Sequence, residues 1–281
     1  MFQAANPGSK LLLAGLLAGS CVGLAFAQGP TPRAFDLSSD NSGWISVGTE
    51  WVAVPGGAQP VTFDPKFPYV PNNTGKQPTF RVADLSNPNL TDFAKAELKK
   101  SNDLVHSGFA MYAREARCWH SGMPVYMLNP AQPTYFLQSP KKITMVWQMD
   151  QQVRHVYMDV PHSANPKPSW YGESVGKYEG DTLVIDTIGL NGKAHLDNYR
   201  TPATNKTHVV ERYRLIEDGK TLEAQVTITD PTVLKQPLQV VHRWRKVNQT
   251  IIESRCADGE ANNPFVEHRV EPVPIAARPD F

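Results

Sequence analysis

Strong charge, cysteine and the common cofactor motifs are all scarce in this sequence. Its 281 residues carry a formal net charge of +1, and the densest basic run is the Arg-Trp-Arg-Lys of residues 243–246. Proteins that bind nucleic acid usually present a basic stripe or patch, so nucleic acid is not an expected partner. The glycine-rich patterns that cradle nucleotide phosphates are also absent. We therefore expect no nucleotide and no other cofactor.

Metal-binding motifs are missing as well. The sequence contains eight histidines, but no His-x-His, no Cys-x-x-Cys and no His-Glu-x-x-His pattern. Four of the histidines, His155, His162, His195 and His208, can approach one another only through folding. The sequence therefore predicts no metal site, and it leaves open whether these histidines converge.

One long apolar run stands out, and it lies at the N-terminus. Lys10 precedes the apolar residues 11–27, which end in Ala-Phe-Ala before Gln28. A positively charged N-terminal region, an apolar core and small residues before a cleavage site predict a signal peptide over residues 1–27. The run is short for a membrane anchor, the alternative reading. We expect a periplasmic or secreted chain that begins near Gln28 and has no membrane span, and we leave open whether Cys21 is lipidated.

Two cysteines remain after this segment, Cys118 and Cys256. An even pair of cysteines in an oxidising compartment is usually bridged. We therefore predict a disulfide bond between Cys118 and Cys256. The alternative is a nucleophilic Cys118 beside His120, but it would leave Cys256 as a free thiol in the same compartment.

The chain changes character twice after the signal peptide. Residues 28–88 are rich in Pro, Gly, Asn and Ser, with two short strand-like stretches, and predict an N-terminal arm outside a larger body. A helix is predicted at about 91–106, because Thr91 or Asn89 can cap it and acidic residues precede basic ones. Residues 89–281 are predicted to form one domain that includes this helix.

Alternation of apolar and polar residues dominates the chain from residue 134 to residue 257. Short alternating stretches separated by turn sequences are typical of sandwiches and barrels, and tight turns make neighbouring strands antiparallel. We predict a mainly β protein, an antiparallel meander of about eight to ten strands that forms a lipocalin-like barrel or a strongly curved sheet.

The most regular passage is the predicted hairpin of residues 169–191. Its turn contains Gly180, which can take a positive φ. Gly172 and Gly176 lie in the preceding strand with Ser174 between them, and they make one face of that strand smooth. Such glycines allow a sheet to bend, or they leave room for a ligand; bending is the more common reason.

This passage and the strand before it match an extended pattern. The pattern is Arg-x-x-Tyr-x-Asp, a His-Pro loop, and then Pro-x-Trp-x-Gly-x-Ser-x-Gly-x-Trp-Glu-Gly-Asp-Thr-Leu-Val-Val, ending near Gly-Phe-Asn. The matching positions are Arg154, Tyr157, Asp159, His162, 168–172, Ser174, Gly176, 179–184 and 189–191. With them the chain resembles a family of uncharacterised exported bacterial proteins over roughly residues 118–256. It departs from the pattern at Tyr171, Tyr178 and Ser163. The resemblance implies the fold unit and no particular activity.

The same strand carries the strongest catalytic candidates. In a strand, His155, Tyr157 and Asp159 share one face, while Arg154 points to the other. His162 follows in the next loop. A histidine, a phenol and a carboxylate together are suited to general acid–base catalysis. We assign proton transfer to Tyr157, Asp159 and His162, with His155 and Arg154 as second choices. The alternative is a polar stripe that faces solvent, with the apolar neighbours packed inward.

Four further residues are candidates for substrate binding. Trp170 can stack on a flat substrate, with Tyr171 beside it, and the smooth face around Ser174 leaves the substrate room. Arg212 can clamp a carboxylate or phosphate, although a cross-strand Arg–Glu pair explains it as well.

Two functions of different classes fit these observations. The first is an exported, cofactor-independent lyase, isomerase or hydrolase that acts by acid–base chemistry on a small apolar or aromatic molecule. The second is a non-catalytic periplasmic carrier of such a molecule, or an interaction protein of the cell envelope. The direction of His155, Tyr157 and Asp159 separates them, because inward side chains favour catalysis and outward ones favour the carrier. The sequence does not indicate the oligomeric state.

Overall fold

Ten strands and one α-helix form the main regular elements in the part of the chain that the structure describes. The structure is a computed structural model, and it describes residues 42–71, 74–76, 79–108, 120–130, 132–147 and 152–249. The helix α1 is Asp92–His106. The strands are β1 (Ser42–Ser46), β2 (Val52–Ala53), β3 (Thr134–Ser139), β4 (Lys142–Trp147), β5 (Gln152–Met158), β6 (Glu173–Glu179), β7 (Thr182–Ile188), β8 (His208–Ile216), β9 (Thr221–Thr229) and β10 (Leu238–Asn248). The predicted signal peptide and the predicted Cys118–Cys256 disulfide lie outside the described residues.

The strands form one sheet that closes on itself. Their order is β1-β3-β4-β5-β6-β7-β8-β9-β10, and β10 pairs again with β1, while β2 is added to β10. Trp44 shows the closure, because it pairs with Thr134 of β3 on one side and with Lys246 of β10 on the other. Closure removes the unpaired edges that an open sheet would expose. The predicted barrel is therefore confirmed.

One pair of neighbours departs from the predicted antiparallel meander. Strands β5 and β6 are parallel, with Val156 opposite Ser174 and Met158 opposite Gly176. The segment between them, residues 159–172, returns the chain to the end of the barrel where β5 began. The antiparallel pairing was predicted because the turn-like composition of this segment suggested a tight reversal. A parallel pair instead needs a long crossover connection, and this segment is long enough to provide one.

The predicted N-terminal arm lies only partly outside the barrel. Its first strand, β1, is a wall strand between β3 and β10. Trp44 on β1 and Trp51 just before β2 are both buried in the main core. Burial of two tryptophans outweighs the effect of the many Pro and Gly residues around them, since each large aromatic removes much apolar surface from water. The arm therefore completes the barrel.

Helix α1 agrees with the predicted helix of residues 91–106. Thr91 caps it, because its Oγ1 accepts a hydrogen bond from the backbone N–H of Ala94 at 3.2 Å. The buried face contains Ala94, Leu98 and Asn102. The Asn102 amide binds both the N–H and the carbonyl of Ala83, each at 2.9 Å. Apolar contact and this pair of hydrogen bonds hold the helix against the segment that precedes it. Within the described ranges, no helix is both long and apolar enough to cross a membrane.

The barrel interior is filled by alternate residues of each strand, as the pleat requires. Large buried aromatic side chains on the strands include Trp44, Trp147, Tyr213 and Trp244. Gly176 belongs to this filled space. A Cβ built on it would lie 2.8 Å from Cγ1 of Val156 and 3.0 Å from Sδ of Met158. At Gly176, therefore, the absence of a side chain is explained by close packing against Val156 and Met158.

Candidate functional site

A buried ion pair lies in the barrel interior. Arg154 on β5 and Glu211 on β8 face each other, and their side chains are 2% and 0% exposed. Nη1 of Arg154 donates to Oε1 of Glu211 at 3.0 Å, and Nη2 donates to Oε2 at 2.5 Å. This two-point contact is the geometry in which a guanidinium binds a carboxylate most strongly.

Three hydroxyl groups complete the coordination of Arg154. Its Nε donates to Oγ of Ser174 at 3.0 Å, and Nη2 donates to Oγ1 of Thr187 at 2.7 Å. Nη1 also donates to the hydroxyl of Tyr126 at 3.2 Å. These acceptors come from β6, β7 and the 3-10 turn Val125–Leu128. The guanidinium is therefore held from four directions, and its position is tightly defined.

The surroundings keep Arg154 charged and the two nearby phenols neutral. Burial opposes the charge of Arg154, but the Glu211 carboxylate outweighs it and raises the pKa of Arg154 above its ordinary value. Burial is also the main cause that raises the pKa of Tyr126 to about 12. The pKa of Tyr213 is raised by burial first and by Glu211 second. Both tyrosines are thus hydrogen-bond donors at neutral pH.

Aromatic side chains surround the end of the barrel at which Tyr126 enters. The ring centroid of Tyr126 lies 5.5 Å from that of Tyr171 and 6.3 Å from that of Trp147. His120 lies 5.8 Å from Trp170 and 6.2 Å from Tyr171. These distances are in the range of favourable aromatic contacts. Trp170 and Tyr171, predicted to bind substrate, are therefore close to the interior pair, with Tyr126 between them and Arg154.

The five catalytic candidates do not gather at one place. Arg154 points into the barrel, whereas His155 and Tyr157 point outward and are exposed, as their alternation on β5 predicts. His155 lies 3.3 Å from Oγ1 of Thr144 through its Nδ1, on the outer surface. Asp159 is exposed in the turn after β5 and has a φ of 57°. The outward direction is the one that favours a carrier.

His162 also lies outside the barrel, on the crossover between β5 and β6. Its Nδ1 is 3.1 Å from Oε1 of Glu173, and its Nε2 is 3.1 Å from Oδ1 of Asp186. Asp186 also contacts a second imidazole, because Nε2 of His208 is 2.8 Å from the same oxygen. Two of the four histidines singled out in the sequence are thus brought together. Within the described part of the chain, no group of His, Cys, Asp and Glu is arranged to hold a metal ion.

The remaining predicted binding residues have partners of their own. Arg212 lies on the outer surface, where Nη2 donates to Oε2 of Glu179 at 2.7 Å, so the Arg–Glu pair considered for it is present. Ser174 is third in the Gly-Glu-Ser-Val-Gly of residues 172–176, a spacing shared with the nucleophile elbow of hydrolases. It lies inside a strand rather than on a strand-to-helix turn, and its Oγ contacts Arg154 and Thr187. This geometry does not support a serine nucleophile.

Sequence reasoning missed the partners of Arg154. Glu211 and Tyr213 alternate with the exposed Arg212 and Arg214 on β8, and that alternation is visible in the sequence. The missing information was which face is inside, because both faces of this strand carry charged residues. A polar residue at an inward position is the signal that can identify such a site.

A small cavity lies near the buried carboxyl of Asp197. It has a volume of about 10 Å³, room for about one water molecule. Its lining includes Val61, Leu90 and the buried carboxyl of Asp197. Burial raises the pKa of Asp197, whose oxygens accept hydrogen bonds from Tyr199 and Thr201. This cavity lies among residues other than those of the Arg154 network.

Strand pairing and the interior ion pair together define a closed β-barrel with a charged, buried interior site. A scan against family models finds no matching family, and a search of curated proteins finds no significant match. Among solved structures, a mutant of the fluorescent protein UnaG is similar over 49% of this chain and 88% of that chain, with 13% identity and a TM-score of 0.27. The assignment of the barrel rests on the strand pairing of this chain itself.

Proposed function

We propose that this protein binds a small, mostly apolar or aromatic molecule inside its barrel and carries it without converting it. The observation that carries this proposal is the buried Arg154–Glu211 pair, which projects from the barrel wall into a mostly apolar interior. Sites for small molecules usually combine an apolar lining with a few well-placed polar groups. The pair is suited to orient one polar group of the ligand.

The energetics of the pair support a role beyond stability. Removing two charges from water costs several kcal/mol, and well-packed apolar residues often stabilise a core equally well. Arg154 also binds Ser174, Thr187 and Tyr126, so four strands and one turn contribute to a polar site where apolar residues would often give an equally stable core. We infer that its purpose is recognition.

The geometry of the guanidinium indicates the chemistry of the ligand. Arg154 presents two N–H groups that match a carboxylate or another planar anion, and Glu211 now occupies them. A ligand carboxylate would take the place of Glu211, which keeps the hydroxyl of Tyr213 as a donor at 2.6 Å. A displaced, buried carboxylate is costly unless it is neutralised. We therefore expect binding of an acidic ligand to be coupled to the uptake of a proton.

Ligand access requires a local movement. Arg154 is only 3% exposed, and its N–H groups already bind Glu211, Ser174 and Thr187. Tyr126 lies between the aromatic end of the barrel and Arg154, and it belongs to the short turn Val125–Leu128. Withdrawal of this turn would uncover Arg154 beneath Trp147 and Tyr171.

An acid–base enzyme that uses Tyr157, Asp159 and His162 has less support. Tyr157 is 47% exposed and lies on the outer surface of β5, and His162 is bonded to carboxylates outside the barrel. Export, a periplasmic or secreted location, the Cys118–Cys256 disulfide and the relationship to uncharacterised exported proteins are part of the proposal, and the sequence patterns support them.

Titration with a fluorescent fatty acid tests the proposal. The full mature chain is titrated with cis-parinaric acid and, as a matched control, with its methyl ester. We expect the acid to bind at least about tenfold more tightly than the ester, since the ester lacks the charge that an arginine binds through charge-assisted hydrogen bonds. Arg154→Met should abolish that preference, whereas the surface variant Arg212→Met should keep it.

Glu211→Gln provides a second test that does not depend on whether Arg154→Met folds. It removes the resident carboxylate that competes for Arg154, and so should increase affinity for the acid. Equal affinity for acid and ester, or an acid affinity that neither variant changes, would contradict the proposal. Native mass spectrometry of the protein as purified shows whether a small acidic molecule is already bound.

A further inference from the structure

The ring of His162 lies between two carboxylates. Nδ1 is 3.1 Å from Oε1 of Glu173 at the start of β6, and Nε2 is 3.1 Å from Oδ1 of Asp186 on β7. The histidine belongs to the crossover segment, residues 159–172, whereas both acids belong to the barrel wall. These two contacts therefore fasten the crossover segment to the outside of the barrel.

Glu173 is an acceptor in this arrangement. Its Oε1 accepts the backbone N–H of Ser163 at 2.7 Å, and its Oε2 accepts the hydroxyl of Ser163 at the same distance. These hydrogen bonds, with that of the hydroxyl first, lower the pKa of Glu173. Glu173 is therefore ionised at neutral pH, and it has no proton to donate to His162.

Asp186 faces a second imidazole as well. Nε2 of His208 is 2.8 Å from the oxygen of Asp186 that His162 contacts. A neutral His208 satisfies this contact with its single N–H. The ionisable groups that contact the His162 ring are thus Glu173 and Asp186, with His208 beyond Asp186 and the uncharged Ser163 beside Glu173.

A neutral imidazole cannot satisfy both contacts of His162. It carries one N–H, so its other nitrogen would set a lone pair against a carboxylate oxygen. Both contacts become hydrogen bonds when the ring carries two protons, and both are then charge-assisted. The geometry of the two carboxylates thus specifies a doubly protonated ring.

We propose that His162 is a proton-operated clasp that holds the crossover segment to strands β6 and β7. Release of one proton from the ring to solvent turns one of the two hydrogen bonds into a repulsive contact and loosens the segment. The same segment leads to Trp170 and Tyr171 at the aromatic end of the barrel. The clasp depends only on the protonation of the His162 ring, so it can be tested independently of ligand binding in the barrel interior.

Nitrogen NMR tests the protonation directly on the full mature chain without added ligand. Long-range ¹⁵N–¹H spectra distinguish an imidazolium from a neutral ring. At about pH 7, where an ordinary histidine is mostly neutral, we expect two protonated nitrogens on His162, with the ring of the exposed His155 as the reference in the same spectra. A neutral His162 ring under these conditions would overturn the proposal.

Hydrogen exchange tests the consequence for the segment. After correction for intrinsic rates, amide protection of residues 160–171 should fall about tenfold between about pH 6 and pH 8, as expected for the loss of one charge-assisted hydrogen bond. Asp186→Asn can place an amide NH2 where Oδ1 now contacts both imidazoles, and its two N–H groups can donate to Nε2 of His162 and of His208. A neutral His162 ring is then satisfied, because its remaining proton on Nδ1 is donated to Glu173. This variant should keep its protection at about pH 8 and lose the pH dependence.

Two further variants complete the test. His162→Gln should lower protection at both pH values, and the matched control His155→Gln should behave as the unmodified protein does. The proposal is wrong if Asp186→Asn retains the original pH dependence, or if His162→Gln changes nothing. Protection that rises with added zinc and is lost in His208→Gln would indicate a metal ion instead of a proton, and would equally overturn it.

Discussion

The hydroxyl of Tyr213 lies 2.6 Å from Oε1 of Glu211, two residues earlier on the same strand. Both side chains point into the barrel, because residues two apart on a strand share a face. The phenol therefore donates to the carboxylate that Arg154 also binds. Every described partner of Glu211 is a donor, so its negative charge is compensated although its side chain is fully buried.

Breaking the interior ion pair should destabilise the barrel strongly. Arg154→Met leaves Glu211 buried without its counter-ion, and we expect a loss of about 3–5 kcal/mol in the free energy of unfolding. The double variant Arg154→Met with Glu211→Leu should recover much of that loss, since it removes both charges. Denaturant unfolding measures both.

The surface pair Arg212–Glu179 is the matched control. These side chains are 44% and 39% exposed, and exposed pairs contribute about 0–1 kcal/mol. A loss in Arg212→Met as large as that in Arg154→Met would show that the burial of the interior pair is not what makes it important.

His242 should make the protein sensitive to acid. Its Nε2 lies 2.6 Å from Oγ of Ser46 inside the barrel, and burial lowers its pKa to about 4. Below the ordinary histidine pKa of about 6.5 the unfolded chain binds a proton that the folded chain does not. Stability should therefore fall as the pH drops from about 6.5 to 4, by on the order of 3 kcal/mol, and this contribution should level off below.

Removal of the buried imidazole should flatten this pH dependence. We expect His242→Gln to show a shallower decline of the free energy of unfolding over the same pH range, whereas His155→Gln, an exposed site, should follow the original curve. Carboxylates that titrate in the same range affect all three proteins alike, so the difference between curves reports on His242. Parallel curves for His242→Gln and the unmodified protein would rule this out.

Two glycines with the same φ of 63° should respond differently to alanine. Gly180 has open space at its missing Cβ, so Gly180→Ala should cost only the backbone penalty of about 1–2 kcal/mol. A Cβ on Gly172 would lie 2.3 Å from the carbonyl oxygen of Ile188. Gly172→Ala should therefore cost clearly more, measured as a lower midpoint of thermal unfolding. Equal costs would mean that the close approach at Gly172 is relieved by movement of the backbone.

The predicted bond between Cys118 and Cys256 is tested by peptide mapping without reduction. We expect one cross-linked peptide pair in protein isolated from an oxidising compartment, since two cysteines there are usually bridged. Free thiols at both positions in freshly prepared protein would count against the bond and would favour the alternative that Cys118 is a nucleophile.

The sequence by itself determined the local structure of this protein. The alternation in residues 208–216 and 221–229 predicts β8 and β9, whose observed bounds are His208–Ile216 and Thr221–Thr229. Thr91 and the charge order after it predict α1. Such features depend on neighbours in the chain, through the strand period of two and the capping of helix ends. The alternation on β5 likewise separates Arg154 from His155 and Tyr157.

Only the tertiary structure decided what these residues meet. Arg154 and Glu211 are 57 residues apart in the chain, and they meet because closure of the barrel brings β5 and β8 to face the same interior. The parallel pairing of β5 and β6 likewise places His162 beside Glu173 and Asp186. Alternating residues in the sequence show that a strand has two faces. Which face is inside depends on burial, and burial is a property of the whole fold.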